Sequence, residues 1–327
     1  MLALLAALCL CAQQQPSELY HAKQVTMVMG TELIIEAWHA EAKVAETAIA
    51  AAEKEMRRVE DLATDWRPSP LETLNDCAGQ GAVKVDEELV SLIAHSLELG
   101  QLTEGAFDIS FGAIGKFWKF KGDDIKLPDA EKIKAALKDV GWKRIIVDVE
   151  KSTVDLPAGM RIGLGGVAKG YGVDCAMQVL LDHGIQHGIV NAGGDLKALG
   201  KDGGRKLYEI AIKHPREGEE IIALLPISNT CVVTSGDYER FFEIDDVRYH
   251  HILDPRTGYP ATGAMSVTVV AQQASVADAL ATALCVMHVV DGMALVEKLK
   301  NVEAVVVDIE GRVMVSSGLK NDDRLKK

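Results

Sequence analysis

Positive charge is scarce in this chain. Lys and Arg number 35 against 48 Asp and Glu, a formal net charge of −13. That balance excludes nucleic acid or an anionic membrane surface as the main partner, and it means that any phosphorylated ligand needs a local cation. Cysteine is sparse and scattered. Beyond Cys9 and Cys11 there are only Cys77, Cys175, Cys231 and Cys285, with no C-x-x-C pair. Neither a zinc site nor a disulfide framework follows, and Cys175 and Cys285 fall in apolar helical patterns that make them core residues. Ser235 lacks a G-x-S-x-G context, there is no P-loop signature, and no repeat, low-complexity tract or long linker divides the chain.

What is present suffices for a large core: 327 residues, 48% apolar and 25% charged, enough for one large domain or two smaller ones. Residues 1–12 are uninterruptedly apolar but too short to span a bilayer, the length of a signal-peptide apolar region. They are read as a signal-like segment, 13–22 as a linker, 23–320 as a single domain (two closely packed subdomains at most) and 321–327 as a tail. The expected location is the periplasmic side of a bacterial inner membrane. No Lys or Arg precedes Lys23, and large Leu residues before Cys9 and Cys11 leave a lipid anchor poorly supported.

Along the chain, 23–38 reads as a β-hairpin or bent strand pair broken near Gly30, and 41–64 as a long amphipathic helix. Trp66 to Asn75 reads as a Pro-containing loop. Helices are expected at about 86–103, 129–139 and from the glycine turn at 163–166 to about 183, with a strand at 144–149. Short strands fill 187–271, one or two helices 274–299, and two strands close the chain. Long helices inserted among antiparallel-looking strands indicate an α+β fold with mixed, largely antiparallel sheets.

The densest polar motif runs from His251 through Ile252, Leu253, Asp254, Pro255, Arg256, Thr257, Gly258 and Tyr259 to Pro260. An imidazole, a carboxylate, a guanidinium and a hydroxyl in seven positions suit a turn that grips an anionic ligand, though a surface turn capped by Asp254 has the same letters. His250 is expected to face outward, because adjacent strand residues point to opposite faces. Gly163, Gly165 and Gly166 precede a helix that carries Lys169 near its start. Free N–H groups, a helix N-terminus and an ammonium make an anion site, or simply a tight helix entry. Asp278 and Thr282, four apart among alanines, share a helix face and offer oxygen donors suited to Mg²⁺; a capping Asp with a back-bonded Thr is the plainer alternative. Asn191-Ala192-Gly193-Gly194-Asp195 reads as a turn between strands. Thr234 to Arg240 forms a polar cluster, and Trp66, Phe107 and Tyr238 are rings that can stack on a planar ligand.

Together these segments, with Met29-Gly30-Thr31 and Gly105-Ala106-Phe107-Asp108, resemble the FAD:protein FMN transferase family, the ApbE-like flavin transferases, in order from about Met29 to about Val307. The resemblance implies an ApbE-like, T-fold-like architecture. It implies Mg²⁺-dependent cleavage of FAD, transfer of FMN to a threonine hydroxyl of an acceptor flavoprotein, and release of AMP. The acceptor it suggests is a periplasm-facing subunit of a membrane redox complex. FAD contacts carry over to Met29, Trp66, Ala106, Phe107, Asp108, Lys169 and Ile252. Metal contacts carry over to the side chains of Asp278 and Thr282 and the main-chain oxygens of Gly166 and Ala281. One departure stands out: Gly163 occupies a place where the family usually has Asp, so that contact is lost or is supplied by Asp155 or water. His251 and Asp254 are the candidates for positioning or deprotonating the acceptor hydroxyl. An FAD pyrophosphatase and a non-catalytic FAD-binding protein remain the rival readings.

Overall fold

The computed structural model describes residues 19–122, 125–217 and 220–322. The expected signal segment, most of the linker and the last five residues of the tail lie outside these. Strands β1 (Tyr20–Val28) and β2 (Thr31–His39) form the expected hairpin. Its first strand begins inside the segment read as linker. Met29 and Gly30 turn it, both at positive φ, 54° and 71°. Two such residues form the turn whose twist matches paired strands, and Met29 accepts that backbone while buried.

Helix α1 (Ala42–Ala63) buries Ala45, Ala48, Ile49, Ala52, Met56 and Val59, a stripe at helical spacing whose small residues let neighbours approach closely. The segment expected to be a loop instead holds α2 (Pro70–Asp76). Ser69 caps it by accepting from Glu72 N at 2.9 Å, and Pro70 stands in its first turn. Proline is tolerated there because that N–H has no helical partner. Strand β3 (Val83–Lys84), α3 (Glu87–Leu102), α4 (Gly112–Gly115), α5 (Ala130–Ala136), β4 (Ile146–Asp148) and β5 (Thr153–Asp155) follow.

Helix α6 (Ala168–Asp182) leads to β6 (His187–Ala192), β7 (Asp195–Leu199), β8 (Tyr208–Lys213), β9 (Ile221–Ile227), β10 (Thr230–Gly236), β11 (Phe241–Ile244), β12 (Val247–His250) and β13 (Ala264–Ala271). Then come α7 (Ala274–Val286), α8 (Val289–Val296), β14 (Glu303–Asp308), β15 (Val313–Val315) and a short closing helix, α9 (Ser317–Lys320), not expected from the sequence.

Eight strands form the main sheet in the order β1-β2-β6-β7-β10-β13-β14-β15, every neighbouring pair antiparallel. Alternation divides each strand between two cores. Val233 and Val306 join the core under α1, α6 and α7, whereas Val232 and Val305 join Tyr208, Ile212 and Leu225 of the β8–β9 hairpin on the opposite face. The α+β expectation therefore holds. A third, smaller cluster of Trp118, Ile133, Phe242 and Leu253 lies beneath the 251–260 turn. Trp118 Nε1 donates to Gly258 O at 2.9 Å and anchors that turn.

Two contacts set the relation of α6 to α7. Gly170 lies so close to α7 that a Cβ there would be 2.2 Å from Ala274 O. Asp174, one turn further along α6, accepts from Ala274 N at 3.1 Å and Ser275 N at 3.0 Å. One helix thus caps the other, which fixes where Asp278 and Thr282 fall.

Candidate active site

A cavity of about 740 Å³ opens where the end of α1, the 106–120 segment, the glycine turn before α6, the inner face of α7 and the 251–255 turn meet. Its size suits a small-molecule site. The structure brings to its wall Met29, Trp66, Ala106, Phe107, Asp108, Lys169, Ile252, His251, Gly166, Asp278 and Thr282, residues drawn from six separate stretches of sequence. Two expected residues are not on it. Asp254 is the cap of its own turn: it accepts from Arg256 N at 2.8 Å and binds the Arg256 guanidinium at 2.7 Å. In this structure its carboxylate serves the turn. Ala281 is fully buried inside α7, where a helical carbonyl already accepts from the following turn.

The floor of the cavity carries charge. Lys169 forms an ion pair with Asp195, a carboxylate with no solvent exposure. Burial alone would lower the Lys169 pKa, but Asp195, Asp278 and Glu239 overcome it and hold the ammonium above its ordinary value. Burial raises Asp195 well above the usual carboxylate range, and repulsion from Asp278 adds to it. Asp278 is also raised by burial, against the pull of Lys169 and of the Gly170 N–H, which donates to Asp278 Oδ2 at 3.0 Å. Two buried carboxylates thus face one ammonium. Asp195 Oδ2 has no hydrogen-bond donor. Such a group retains a proton or takes up a cation.

Glycine makes room beside this cluster. A Cβ on Gly166 would lie 3.1 Å from Thr282 Oγ1 and 3.2 Å from the Phe107 ring, so hydroxyl, main chain and Asp278 carboxylate gather in one place. Among the described residues no three His, Cys, Asp or Glu side chains converge on a metal position. A cation here would rest on one carboxylate, one hydroxyl, main-chain oxygens and ligand oxygens. This donor set is all oxygen and fits Mg²⁺, which keeps part of its shell for water and phosphate.

His251 has Nδ1 buried without a partner, and its ring meets the edge of Phe120 with centroids 6.4 Å apart. Burial, with help from Arg240, lowers its pKa to about 4. The imidazole is neutral at ordinary pH and able to accept a proton. His250, expected to face outward, is buried and hydrogen-bonds Ala261 O at 2.8 Å. It supports the turn that follows it.

Asp108 lines the cavity, but its carboxylate is already engaged. It accepts from Ser110 N at 2.8 Å, Ser110 Oγ at 2.6 Å and Trp142 N at 3.1 Å, which stiffens the 106–111 segment. Trp66 stands at the mouth, 65% exposed. Asp155 is on β5 in the small side sheet and not on the cavity wall; the carboxylate that lies against Gly163 is that of Asp65. Sequence reasoning missed Asp65, Asp195 and Glu239 as site residues. Gly193 and Gly194 do make the expected turn, with φ of 56° and 97°. That reading hid Asp195 because only pairing with Lys169 across the fold reveals it. Glu239 stood in a recognised polar cluster, yet nothing local marked its carboxylate as one that acts on Lys169.

Residues 29–306 match the ApbE family. A FAD:protein FMN transferase of Treponema pallidum is 36% identical over 274 residues, 79% of this chain and 76% of that protein. Another, from Vibrio cholerae, is 31% identical over 307 residues, 91% of this chain and 90% of that one. Among solved structures, the ApbE protein of Thermotoga maritima gives a TM-score of 0.85 at 36% identity, covering 93% of this chain and 100% of that chain. The flavin transferase ApbE of Vibrio cholerae gives 0.81 at 27% identity, covering 92% and 99%.

Proposed function

The chain belongs to the ApbE family, and from that premise we propose that it cleaves FAD with Mg²⁺ and transfers the FMN part to a threonine hydroxyl of an acceptor flavoprotein, releasing AMP. The observation that carries this reading is the gathering of Asp278, Thr282 and Gly166 beside the Lys169–Asp195 pair, in one cavity with the rings of Trp66 and Phe107.

Bound Mg²⁺ would supply charge to the pyrophosphate oxygens and to the departing phosphate, the main lever in phosphoryl transfer. Asp278 and Thr282 would hold it. Lys169 sits close enough to share the neutralisation of a ligand brought to a strongly acidic protein. In the transfer itself the hydroxyl oxygen forms a bond to the FMN phosphorus. The bond from that phosphorus to the AMP oxygen breaks, and the hydroxyl proton passes to a base. His251 is neutral, on the wall and unpaired at Nδ1, which qualifies it for that proton. The acceptor on this reading is a periplasm-facing subunit of a membrane redox complex, reached after export through the N-terminal apolar segment.

The test is to incubate the protein with FAD, Mg²⁺ and a threonine-bearing acceptor domain and to weigh the acceptor. A mass gain equal to FMN less water, with stoichiometric AMP, is expected. Free FMN with an unmodified acceptor would instead make water the nucleophile.

A further inference from the structure

Strand β1 is the outer strand of the main sheet and, among the described residues, pairs only with β2. The turn at Met29 and Gly30 fixes which of its main-chain groups are used. In a two-residue hairpin the residues flanking the turn exchange both hydrogen bonds, and bonded and non-bonded pairs alternate from there. Val28 and Thr31 are the flanking pair. Val28, Thr26, Gln24 and Ala22 therefore bond to β2, while Met27, Val25, Lys23 and His21 turn their N–H and C=O groups away from it. Glu32 agrees with this phase: it stands opposite Met27, and its O accepts from Gly193 N at 2.9 Å on the β6 side. Among the described residues, no hydrogen bond from another segment reaches the outward groups of β1. The side chains of the same residues are open too, Val25 at 51% and Met27 at 61% exposure. Native edge strands are commonly blunted by a charge, a proline or a bulge. Lys23 stands near the start of β1, but Val25–Val28 has none of the three.

The unblunted end is the one that meets the cavity. β1 runs directly into Met29, a residue of the cavity wall. Arg57 of α1 donates to Thr26 Oγ1 at 3.0 Å, and Glu60, one turn further along α1, lines the cavity. The open edge and the site are thus one continuous surface. We propose that β1 is the docking edge for the acceptor flavoprotein: an extended segment of the acceptor adds to the main sheet beside Lys23, Val25 and Met27, and the threonine next to that segment reaches the cavity past the hairpin turn. This rests on the reading of the protein as a transferase. Strand addition takes its affinity from main-chain hydrogen bonds, which suits an enzyme that must hold a chain while its site contacts one side chain. From Lys23 to Met27 the edge spans about 14 Å and presents three outward N–H and three outward C=O groups. An added strand would also cover Val25 and Met27, whose neighbours on β1 and β2 leave them open.

The test uses the full chain and a threonine-bearing acceptor domain of a membrane redox subunit, in its native form and with that threonine replaced by valine so that nothing can be transferred. Amide hydrogen exchange of the wild type is the first readout. The amides of Lys23, Val25 and Met27 should exchange freely in the protein alone and slow by roughly tenfold or more when the valine form is added. Those of Gln24, Thr26 and Val28 should be slow throughout. Protection at alternate residues follows from main-chain pairing and not from side-chain contact. The second readout is Val25→Pro. The N–H it removes serves no bond to β2, and an edge position of that kind tolerates proline, so FAD affinity and melting temperature should stay near the wild type. The KM for the acceptor should rise by roughly tenfold, the worth of about one main-chain hydrogen bond, with the KM for FAD unchanged. Should the proline unfold the chain, the exchange measurement decides alone. Absent or uniform slowing along β1, or an unchanged acceptor KM in folded Val25→Pro, would overturn the proposal. So would protection of the outward amides in the protein alone that grows with its concentration, since a second copy of the chain would then hold the edge. Alternate protection by an acceptor that receives no FMN sinks the transferase reading and leaves the docking edge standing; normal transfer by Val25→Pro does the reverse.

Discussion

A neutral imidazole is available at His251 because its surroundings are apolar and cationic, not because a carboxylate orients it. With a pKa lowered to about 4, the base form prevails through the physiological range. The wild-type rate should therefore lose its acid limb near pH 4, not near the 6.5 of free imidazole. His251→Ala should still bind FAD, with transfer slower by roughly 10²–10⁴-fold; a normal rate would remove this residue from the chemistry. The same shift affects stability. The folded pKa is below the unfolded one, so the unfolded chain binds more protons between about pH 6.5 and 4. The contribution of His251 is present above that window and is lost as pH falls through it. A His251→Gln variant should show a flatter melting temperature across that window. The carboxylates on the cavity floor behave differently. Asp278→Asn removes one of two mutually repelling buried charges, so it should melt close to the wild type while losing Mg²⁺-dependent transfer. Lys169→Ala leaves both carboxylates without their ammonium. It should lose on the order of 3–5 kcal/mol, the cost of a broken buried pair, and recover part of it with Mg²⁺. Undiminished transfer by Asp278→Asn, or an unchanged melting temperature for Lys169→Ala, would contradict this charge arrangement.

At the scale of elements, the site depends on how α6 meets α7. The Gly170 position leaves no room for a methyl group against Ala274 O, and both partners are backbone. Gly170→Ala should therefore force the helices apart, costing about 1–3 kcal/mol or more and weakening Mg²⁺ dependence at the same time. Gly165 is the control: it lies on the cavity wall, has no atom within 4 Å of an added Cβ and should tolerate alanine in a melting experiment. The longer helices were legible in the sequence because α1, α3, α6 and α7 repeat apolar residues over several turns. The α2 helix was not, since seven residues opening on Pro70 carry no period to read. Its cap, Ser69, was the available signal. The motif residues from Gly163 to Lys169 and from Asp278 to Thr282 announced themselves by composition. Asp195, Glu239 and Asp65 did not, because their partners lie across the fold and the carboxylate near Gly163 comes from a segment about a hundred residues away.

Across the whole molecule, the class of fold followed from the order of elements, but the strand order did not. Strand β2 pairs with β6 across the six helices α1 to α6 and a side sheet, and no local pattern encodes such a pairing. The consequence is a cavity whose walls come from separate packing units. The end of α1 and the α6–α7 pair belong to the main core, while Trp118 and Leu253 belong to the small cluster under the 251–260 turn. A ligand lying across them should stabilise the fold as a unit. FAD alone brings further negative charge to a protein of net charge −13, and Mg²⁺ alone meets only one carboxylate and one hydroxyl. Each should raise the melting temperature little. Together they complete each other's coordination, and linkage requires that each tighten the other by the same factor. At a hundredfold excess over the dissociation constant the pair should add about 2.7 kcal/mol. Thermal melts with FAD, with Mg²⁺ and with both check this without any turnover. The combined shift should exceed the sum of the separate ones, and that excess should vanish in Asp278→Asn. Strictly additive shifts would mean that the metal and the nucleotide occupy unrelated places.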